Sequence, residues 1–400
     1  YMESTQVIVA CAGPVGTVAA VCLARQGIEV ILLEALPTWA KDLRASTWHP
    51  PTLEMMAELG VADRMVKHGL VCPVYQYRDR RSPEVFSFDL TELSDTTEFP
   101  YRLQYEQFKF TQHLCELLAD EPHATLHFSH EVVDVDQDAD GVTVVAEHQE
   151  TTEFFTADYV IGAEGANSIV RRKLKIGFEG FTYPERFVTL STTYPVERHF
   201  DGLSNVNYIA DPEAWVLLLR TPDYWRVLVP APEGIDDEYL LSDEFKDHVL
   251  GDVTGTQTTI ASEHRVIYRI HQRVAINYRV GRVLLAGDAA HLNNPLGGFG
   301  MNSGIHDAWN LCDKLDRIIN QGADLSLLDL YEKQRQNVTR DFIQTQSMKN
   351  KQRMEQDDEE WLRQDREETR RISSDDKLRR KFLLDQALFT SLADAEQITL

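Results

Sequence analysis

Apolar and polar positions along the chain mark out its elements before any chemistry is considered. The first apolar run, "VIVACA" at 7–12, reads as a buried strand ending in a small-residue turn. From Val15 the apolar side chains recur at Val18, Ala19 and Cys22, the spacing of a helix, and Gly27 after "ARQ" predicts its C-terminal cap. "EVILLE" is a second strand ending at Glu34, so the opening forms a strand–helix–strand unit with a right-handed crossover expected. Residues 51–68 and 101–119 read as helices. Three segments after residue 123, "ATLHF", "EVVDVD" and "GVTVVAEH", alternate apolar and polar residues and predict antiparallel strands. "ADYVIGAEG" is an apolar strand entering a glycine turn.

A strand-rich block over 186–276 follows, with "RFVTLSTTYP", "VNYIAD", "AWVLLLR" and "WRVLVPAP" as its strands and a helix near 238–250. "RVLLAGDAAH" is a further buried strand, followed by a glycine-rich turn and a helix through about Ile319. The remainder reads as polar helix. Its most charged run, "DDEEWLRQDREETRR", offers Glu359–Arg363 and Glu367–Arg371 as i,i+4 pairs on a solvated face. Nucleotide-fold pieces thus come from both ends of the chain, with a β-rich block inserted between them. The predicted fold is α/β: a Rossmann-like nucleotide-binding domain (1–72, 101–185 and 277–345), a β-sheet-rich substrate domain (73–100 and 186–276), and a helical C-terminal region (346–400).

Composition narrows the partners. A chain of 400 residues with 43% hydrophobic residues can bury a large core. Its net charge of −24 argues against nucleic acid and anionic membrane surfaces. No apolar run approaches the roughly 18–20 residues of a membrane span, and the opening "YMESTQVIVA" lacks a secretory signal pattern. The five cysteines (Cys11, Cys22, Cys72, Cys115, Cys312) are scattered without a C-x-x-C pair, which suits a reducing cytoplasm and no metal site.

Three glycine turns carry the candidate chemistry. In "CAGPVG" (11–16), Gly13 and Gly16 fill two places of a G-x-G-x-x-G dinucleotide loop, and Cys11 stands in the first. A cysteine is tolerable there at negative φ and strained by about 1–2 kcal/mol at positive φ. A helix N-terminus also lowers thiol pKa, which leaves a reactive Cys11 as a second reading. Glu34, 18 residues beyond Gly16 at a strand end, is placed to accept ribose hydroxyls. In "GDAAHLNNPLGGFGMNSGIHDAWNL" (287–311), Asp288 ends a buried strand, and Gly297, Gly298, Gly300 and Gly304 allow close backbone approach around a helix start. "VIGAEGANSIVRR" (160–172) again joins strand to helix, with Gly162, Gly165 and Arg171.

These three stretches, in this order, resemble the FAD-dependent aromatic hydroxylases of the para-hydroxybenzoate hydroxylase type, the group A flavoprotein monooxygenases. The resemblance runs to about residue 345. It implies FAD bound by Gly13, Pro14, Val15, Gly16, Glu34, Ala35, Arg44 of "RAST", Gln104 of "YRLQYEQF", Gly165, Asp288, Pro295, Gly298, Gly300, Met301 and Asn302. The family's central motif usually carries Asp-Gly where this chain has Glu164-Gly165, a longer acid that bears on nicotinamide contacts.

The implied cycle uses NADH or NADPH as transient reductant and O2 as oxidant, and a C4a-hydroperoxyflavin hydroxylates a small electron-rich, phenol-like ring. Arg44, His291 and Pro295 are the candidates for catalytic roles, His291 for proton handling. Asn207, Tyr208, Trp215, Arg220 and Tyr224, together with Pro295 and Gly297, are the candidates for substrate contact, with His49 and Arg226 as further ones. Alternation puts Trp215, Leu217 and Leu219 on one sheet face and Val216, Leu218 and Arg220 on the other. A homodimer stays open as the assembly. Two other readings remain: an FAD-dependent dehydrogenase or reductase of the same fold, and a non-catalytic flavin- or drug-binding protein.

Overall fold

The computed structural model describes residues 2–41 and 43–400. Its first sheet is built on Met2–Ala10, with Val30–Leu33 on one side and Thr151–Gly162 on the other, all parallel. Val7–Ala10 is wholly buried, which explains an unbroken apolar run in place of alternation. The sheet continues through Val283–Leu285 to Arg279–Val280 at one edge and ends in Ala124–His127 at the other. Glu131–Gln137 and Val142–His148 branch from Thr151–Gly162 as the antiparallel strands expected. "ATLHF" differs: Ala124–His127 runs parallel to Val30–Leu33, and its alternation reflects a half-exposed edge strand. The helix Pro14–Arg25 packs on this sheet, and Gly27 follows it at φ 75°.

The second sheet holds eight strands in the order His291–Leu292, His264–Ala275, Phe178–Thr192, Trp225–Pro230, Val216–Arg220, Val206–Ala210, Val74–Asp79 and Ser82–Asp89. Its neighbours are antiparallel except Val206–Ala210 and Val74–Asp79. The strand Phe178–Thr192 begins before residue 186, the boundary drawn from sequence. Through His291 and Leu292 this sheet is hydrogen-bonded to the chain just after Asp288. The helix expected near 238–250 is Asp243–Thr254, and it covers one face of the sheet. A third, small sheet places Arg102–Gln104 between Thr47–Trp48 and Leu70–Cys72; the helix predicted to start at 101 begins only at Gln107.

The C-terminal third is helical. Ser326–Val338 runs through a π-helical turn, Thr339–Gln344, into Thr345–Glu355, followed by Glu359–Ser374, Asp376–Gln386 and Phe389–Gln397. No helix among the described residues is long and apolar enough to cross a membrane. The charged run is partly as expected: Glu359–Ser374 has no buried residue. Its pairs differ, because Arg363 bonds Glu360 and Glu367, and Arg371 bonds Glu368. The helix also reaches across to the second sheet, where Arg370 grips Glu84 with two bonds of 2.8 Å.

Exposed ion pairs are individually weak and screened by salt. Amides of Glu359–Ser374 are therefore expected to exchange with deuterium faster than those of the buried helix Gly300–Gln321, and to accelerate further at high ionic strength. Hydrogen-exchange mass spectrometry checks both, and equal, salt-independent protection of the two helices would contradict the assignment.

Candidate cofactor and substrate site

The first glycine turn adopts the strained alternative. Cys11 sits at φ 80°, a left-handed conformation that costs a non-glycine residue about 1–2 kcal/mol. Its N–H donates to Leu33 O at 2.7 Å, which fixes the turn. Gly16 is a steric necessity, because a Cβ there would stand 2.0 Å from Cys11 O. Gly13 is different: it is extended, caps the helix, and a Cβ would meet nothing closer than Cys11 Sγ at 3.8 Å. The room at Gly13 in front of the helix N-terminus suits the close approach of a pyrophosphate. Burial and the nearby Glu34 carboxylate raise the Cys11 thiol well above its usual range, which disfavours the thiolate that a reactive Cys11 needs. Glu34 is buried at the strand end and accepts from Ala12 N–H (2.7 Å) and Leu36 N–H (3.0 Å).

The second turn is organised from behind. Gly287 N–H donates to Asp307 Oδ2 (3.1 Å), which also binds His291 Nε2 at 2.6 Å, while Asp307 Oδ1 accepts from Arg335 Nε at 2.7 Å. Burial opposes the Asp307 charge, yet His291 and Arg335 hold its carboxyl below the usual range. This corrects the expectation for His291, which is wholly buried against Asp307 and serves as a structural tie, not a proton carrier at an open cleft. Val15 lies 2.9 Å from where a Cβ of Gly287 would be and 2.8 Å from that of Gly304. Gly304 therefore serves close packing of the turn and two helices. Asp288 is the exposed side chain in a turn whose neighbours are buried.

The loop after it has its carbonyls turned inward. Leu292 O accepts from Gln344 Nε2, Leu296 O from Asn350 Nδ2, Gly297 O from His49 Nε2 and Gly298 O from Asn302 Nδ2, at 2.7–3.2 Å. Pro295 O closes a turn with Gly298 N–H. The loop then enters the helix Gly300–Gln321, whose first N–H groups have no partner one turn earlier within the helix and carry the positive end of its dipole. Such an end suits the negative charge that develops at N1/C2=O of a reduced flavin. Asn302 is corrected in detail: its side chain is consumed by His49 N–H, Thr52, Thr47 O and Gly298 O, so only its backbone amide is left for a ligand. His49 donates to Gly297 O, and burial, aided by the Arg102 charge, pushes its pKa down to about 3.

The third turn braces the second. Arg171 donates to Ala289 O (3.0 Å) and lies 3.8 Å over the Phe178 ring. Glu164 folds back onto Ser168 Oγ and Val170 N–H, with burial raising its pKa. Gly165 takes φ 86° beside it.

On the substrate side, Trp215, Leu217, Tyr208, Leu228 and Phe187 share one hydrophobic cluster with Leu296 of the loop. That settles which sheet face fronts the cofactor turn. Asn207 and Arg220 are corrected: Asn207 pairs with Leu218 on the opposite face, where its amide is spent on Ser204 and Leu218, and Arg220 stacks 5.6 Å over Trp225 there. Tyr224 lies in a turn, edge-on to His264. Gln104 is buried with Ser46 and Thr47, and Arg226 reaches Ser46 Oγ at 3.3 Å. Arg44 is exposed on the loop leading to Ser46.

Sequence reasoning passed over Arg102. It is 1% exposed, donates to Tyr208 Oη at 2.8 Å and lies 4.0 Å over the Tyr75 ring. Its Nη2 has no hydrogen-bond partner among the described residues. The signal was an arginine two residues before Gln104, on the same face of a short strand.

Two outcomes follow. Cys11 is expected to resist alkylation in the folded protein at pH 8, and Cys11→Gly to leave stability unchanged or raise it by up to about 1 kcal/mol; mass spectrometry and urea melts check these. Asp307→Asn leaves a buried, unpaired Arg335 and is expected to destabilise by about 3–5 kcal/mol in the same melts.

Comparison with known proteins agrees with this geometry. Residues 4–346 match the FAD binding domain family. The chain is 33% identical over 384 residues to a para-nitrophenol 4-monooxygenase of Pseudomonas sp. (strain WBC-3), covering 95% of this chain and 94% of that one. It is 32% identical to a 6-hydroxy-3-succinoylpyridine 3-monooxygenase of Pseudomonas putida (strain DSM 28022 / S16), over 85% of each. The crystal structure of p-nitrophenol 4-monooxygenase from Pseudomonas putida DLL-E4 superposes with a TM-score of 0.92 at 30% identity, covering 98% of this chain and 99% of that one. With its glycine turns, Glu34, Asp288 and the inward-turned loop in place, the chain belongs to the FAD-dependent aromatic monooxygenases.

Proposed function

We propose that the enzyme hydroxylates a small phenol held against the Leu217–Leu228 face of the second sheet, under the Pro295–Gly297 loop, with its oxygen or a polar ring substituent at Arg102. The observation that carries this is the buried Arg102 guanidinium with an unused Nη2. A buried cation without a carboxylate is costly unless a ligand supplies the missing acceptor. A phenolate supplies it, and Arg102 in turn lowers the pKa of the bound phenol and makes the ring more electron-rich. Relatives carry names that fit, para-nitrophenol and pentachlorophenol 4-monooxygenase among them.

Gly13, Pro14, Val15 and Gly16 with the helix behind them would hold the FAD pyrophosphate, joined by Arg44, and Glu34 beside Ala35 the ribose. Asp288 would anchor the ribityl chain. Pro295, Gly297 and Gly298 would shape the pocket beside the ring, with the amides of Gly300, Met301 and Asn302 at its pyrimidine end. Gln104 would flank the ring from the small sheet, and Gly165 the nicotinamide approach. Bound FAD supplies reduction by NADH or NADPH and activation of O2. Overall, the phenol and O2 are consumed with one reduced nicotinamide and a proton, giving the dihydroxylated ring, water and the oxidised nicotinamide. The chain's part is to exclude water through the apolar wall, to orient the ring and to hold the phenol oxygen deprotonated. All five cysteines are free, which supports our placing the enzyme in the cytoplasm.

A panel of phenols, followed by O2 uptake and nicotinamide oxidation with H2O2 measured in parallel, tests the reading. Arg102→Met is expected to raise KM about 10–100-fold, as loss of a charge-assisted bond does, and to divert turnover to H2O2. It should also return the pKa of bound 4-nitrophenol, read from phenolate absorbance, toward its free value. An unchanged KM and an unchanged bound pKa would sink the role of Arg102.

A further inference from the structure

A cavity opens near the edge strands of the same sheet face, between the sheet and the C-terminal helices. Its empty space is about 680 Å³, including the part open to solvent. Its sheet wall is aromatic. Tyr77 stacks on Tyr208 with centroids 5.1 Å apart and planes at 19°. Phe88 stands beside Tyr77 and meets Phe382 of the helical wall at 4.6 Å.

The charges at the rim are paired with one another except Arg78, which is held by Gln76 Oε1 and Asp201 O. Asp79 bonds Arg81 and lies 3.6 Å from Arg366, Glu84 is held by Arg370, and Arg353 bonds Asp365 at 2.8 Å. A cation entering here would have to break one of these pairs and an anion would have to displace the bonds that hold Arg78, whereas a neutral ring breaks none and packs against the aromatic and apolar wall. The roof is the helix Glu359–Ser374, which has no buried residue and is fastened by Arg366 and Arg370 to the sheet. Such ties open readily in solvent. Tyr208 belongs to both places: its ring lines this cavity and its hydroxyl accepts from Arg102.

We propose that this cavity is an outer binding site for an uncharged one- or two-ring aromatic molecule, separate from the position at Arg102 where the reacting ring is held. That the molecule belongs to the phenol class rests on the reading above, while the site itself rests on the aromatic wall and the saturated rim. A ring seated here packs on Tyr208 and so steadies the hydroxyl that orients Arg102.

The test is calorimetric titration of the FAD-loaded enzyme with 4-fluorobenzyl alcohol, uncharged at any working pH, repeated by fluorine NMR. Two binding events are expected. Thr369→Trp, which puts an indole into the cavity from the roof, is expected to weaken the outer event at least about tenfold and to spare the inner one. Ser82→Trp fills it from the opposite rim and guards against a folding defect in the first variant. The inner event is identified by its loss in Arg102→Met. A single event that neither tryptophan alters overturns the outer site. If instead the phenol reading is wrong, the event sensitive to Arg102→Met is missing while the one sensitive to Thr369→Trp persists.

Discussion

The structure depends on one buried carboxylate. Asp307 reaches from the helix Gly300–Gln321 to the amide of Gly287, and His291 and Arg335 fill its remaining acceptor positions. That single group sets the spacing between the turn carrying Asp288 and the N-terminal turns of that helix. It also binds the second sheet to the first, because His291 is a member of the second sheet. A buried ion cluster adds little net stability over an apolar replacement, but removing one member is costly. Its value here is geometric: the turn at 287–291 and the helices Gly300–Gln321 and Ser326–Val338 have one relative position.

The loop after Asp288 shows the same principle in its backbone. Every carbonyl committed to Gln344, Asn350, His49 or Asn302 turns its peptide one way, and the accounting of backbone groups leaves the ligand face to donors. The C-terminal helices therefore hold this loop even though no residue of theirs stands in a glycine turn. Cys11 shows the opposite case, a local strain accepted because the surrounding strand ends and Glu34 over-determine the turn.

Much of this was legible in the residue pattern. The strand–turn–helix units, the inserted sheet, the acids at strand ends and the family they resemble all follow from short-range spacing, and the comparisons bear out fold, cofactor and reaction class. What escaped was set by contacts distant in sequence. His291 looked like a proton carrier until Asp307 and Arg335 were seen to enclose it. Asn207 and Arg220 sat on strands of known alternation, yet only packing against Leu296 says which face is inward. Arg102 read as an ordinary strand residue, because nothing local reveals that its neighbours are Tyr75 and Tyr208. "ATLHF" was a strand of the wrong sense, since alternation reports exposure and not direction.

The π-helical turn at Thr339–Gln344 carries a consequence of its own. Each residue of an α-helix advances the chain by about 100° around the axis, so the wider turn resets the phase of everything beyond it. Gln344, Ser347 and Asn350 all face the flavin loop in this phase. A chain shortened by one residue there would keep its helix and its composition, yet Ser347 and Asn350 would swing away from the loop. Length in this segment is thus under a tighter constraint than identity, and tolerated insertions or deletions belong in the helix Glu359–Ser374, which has no buried residue.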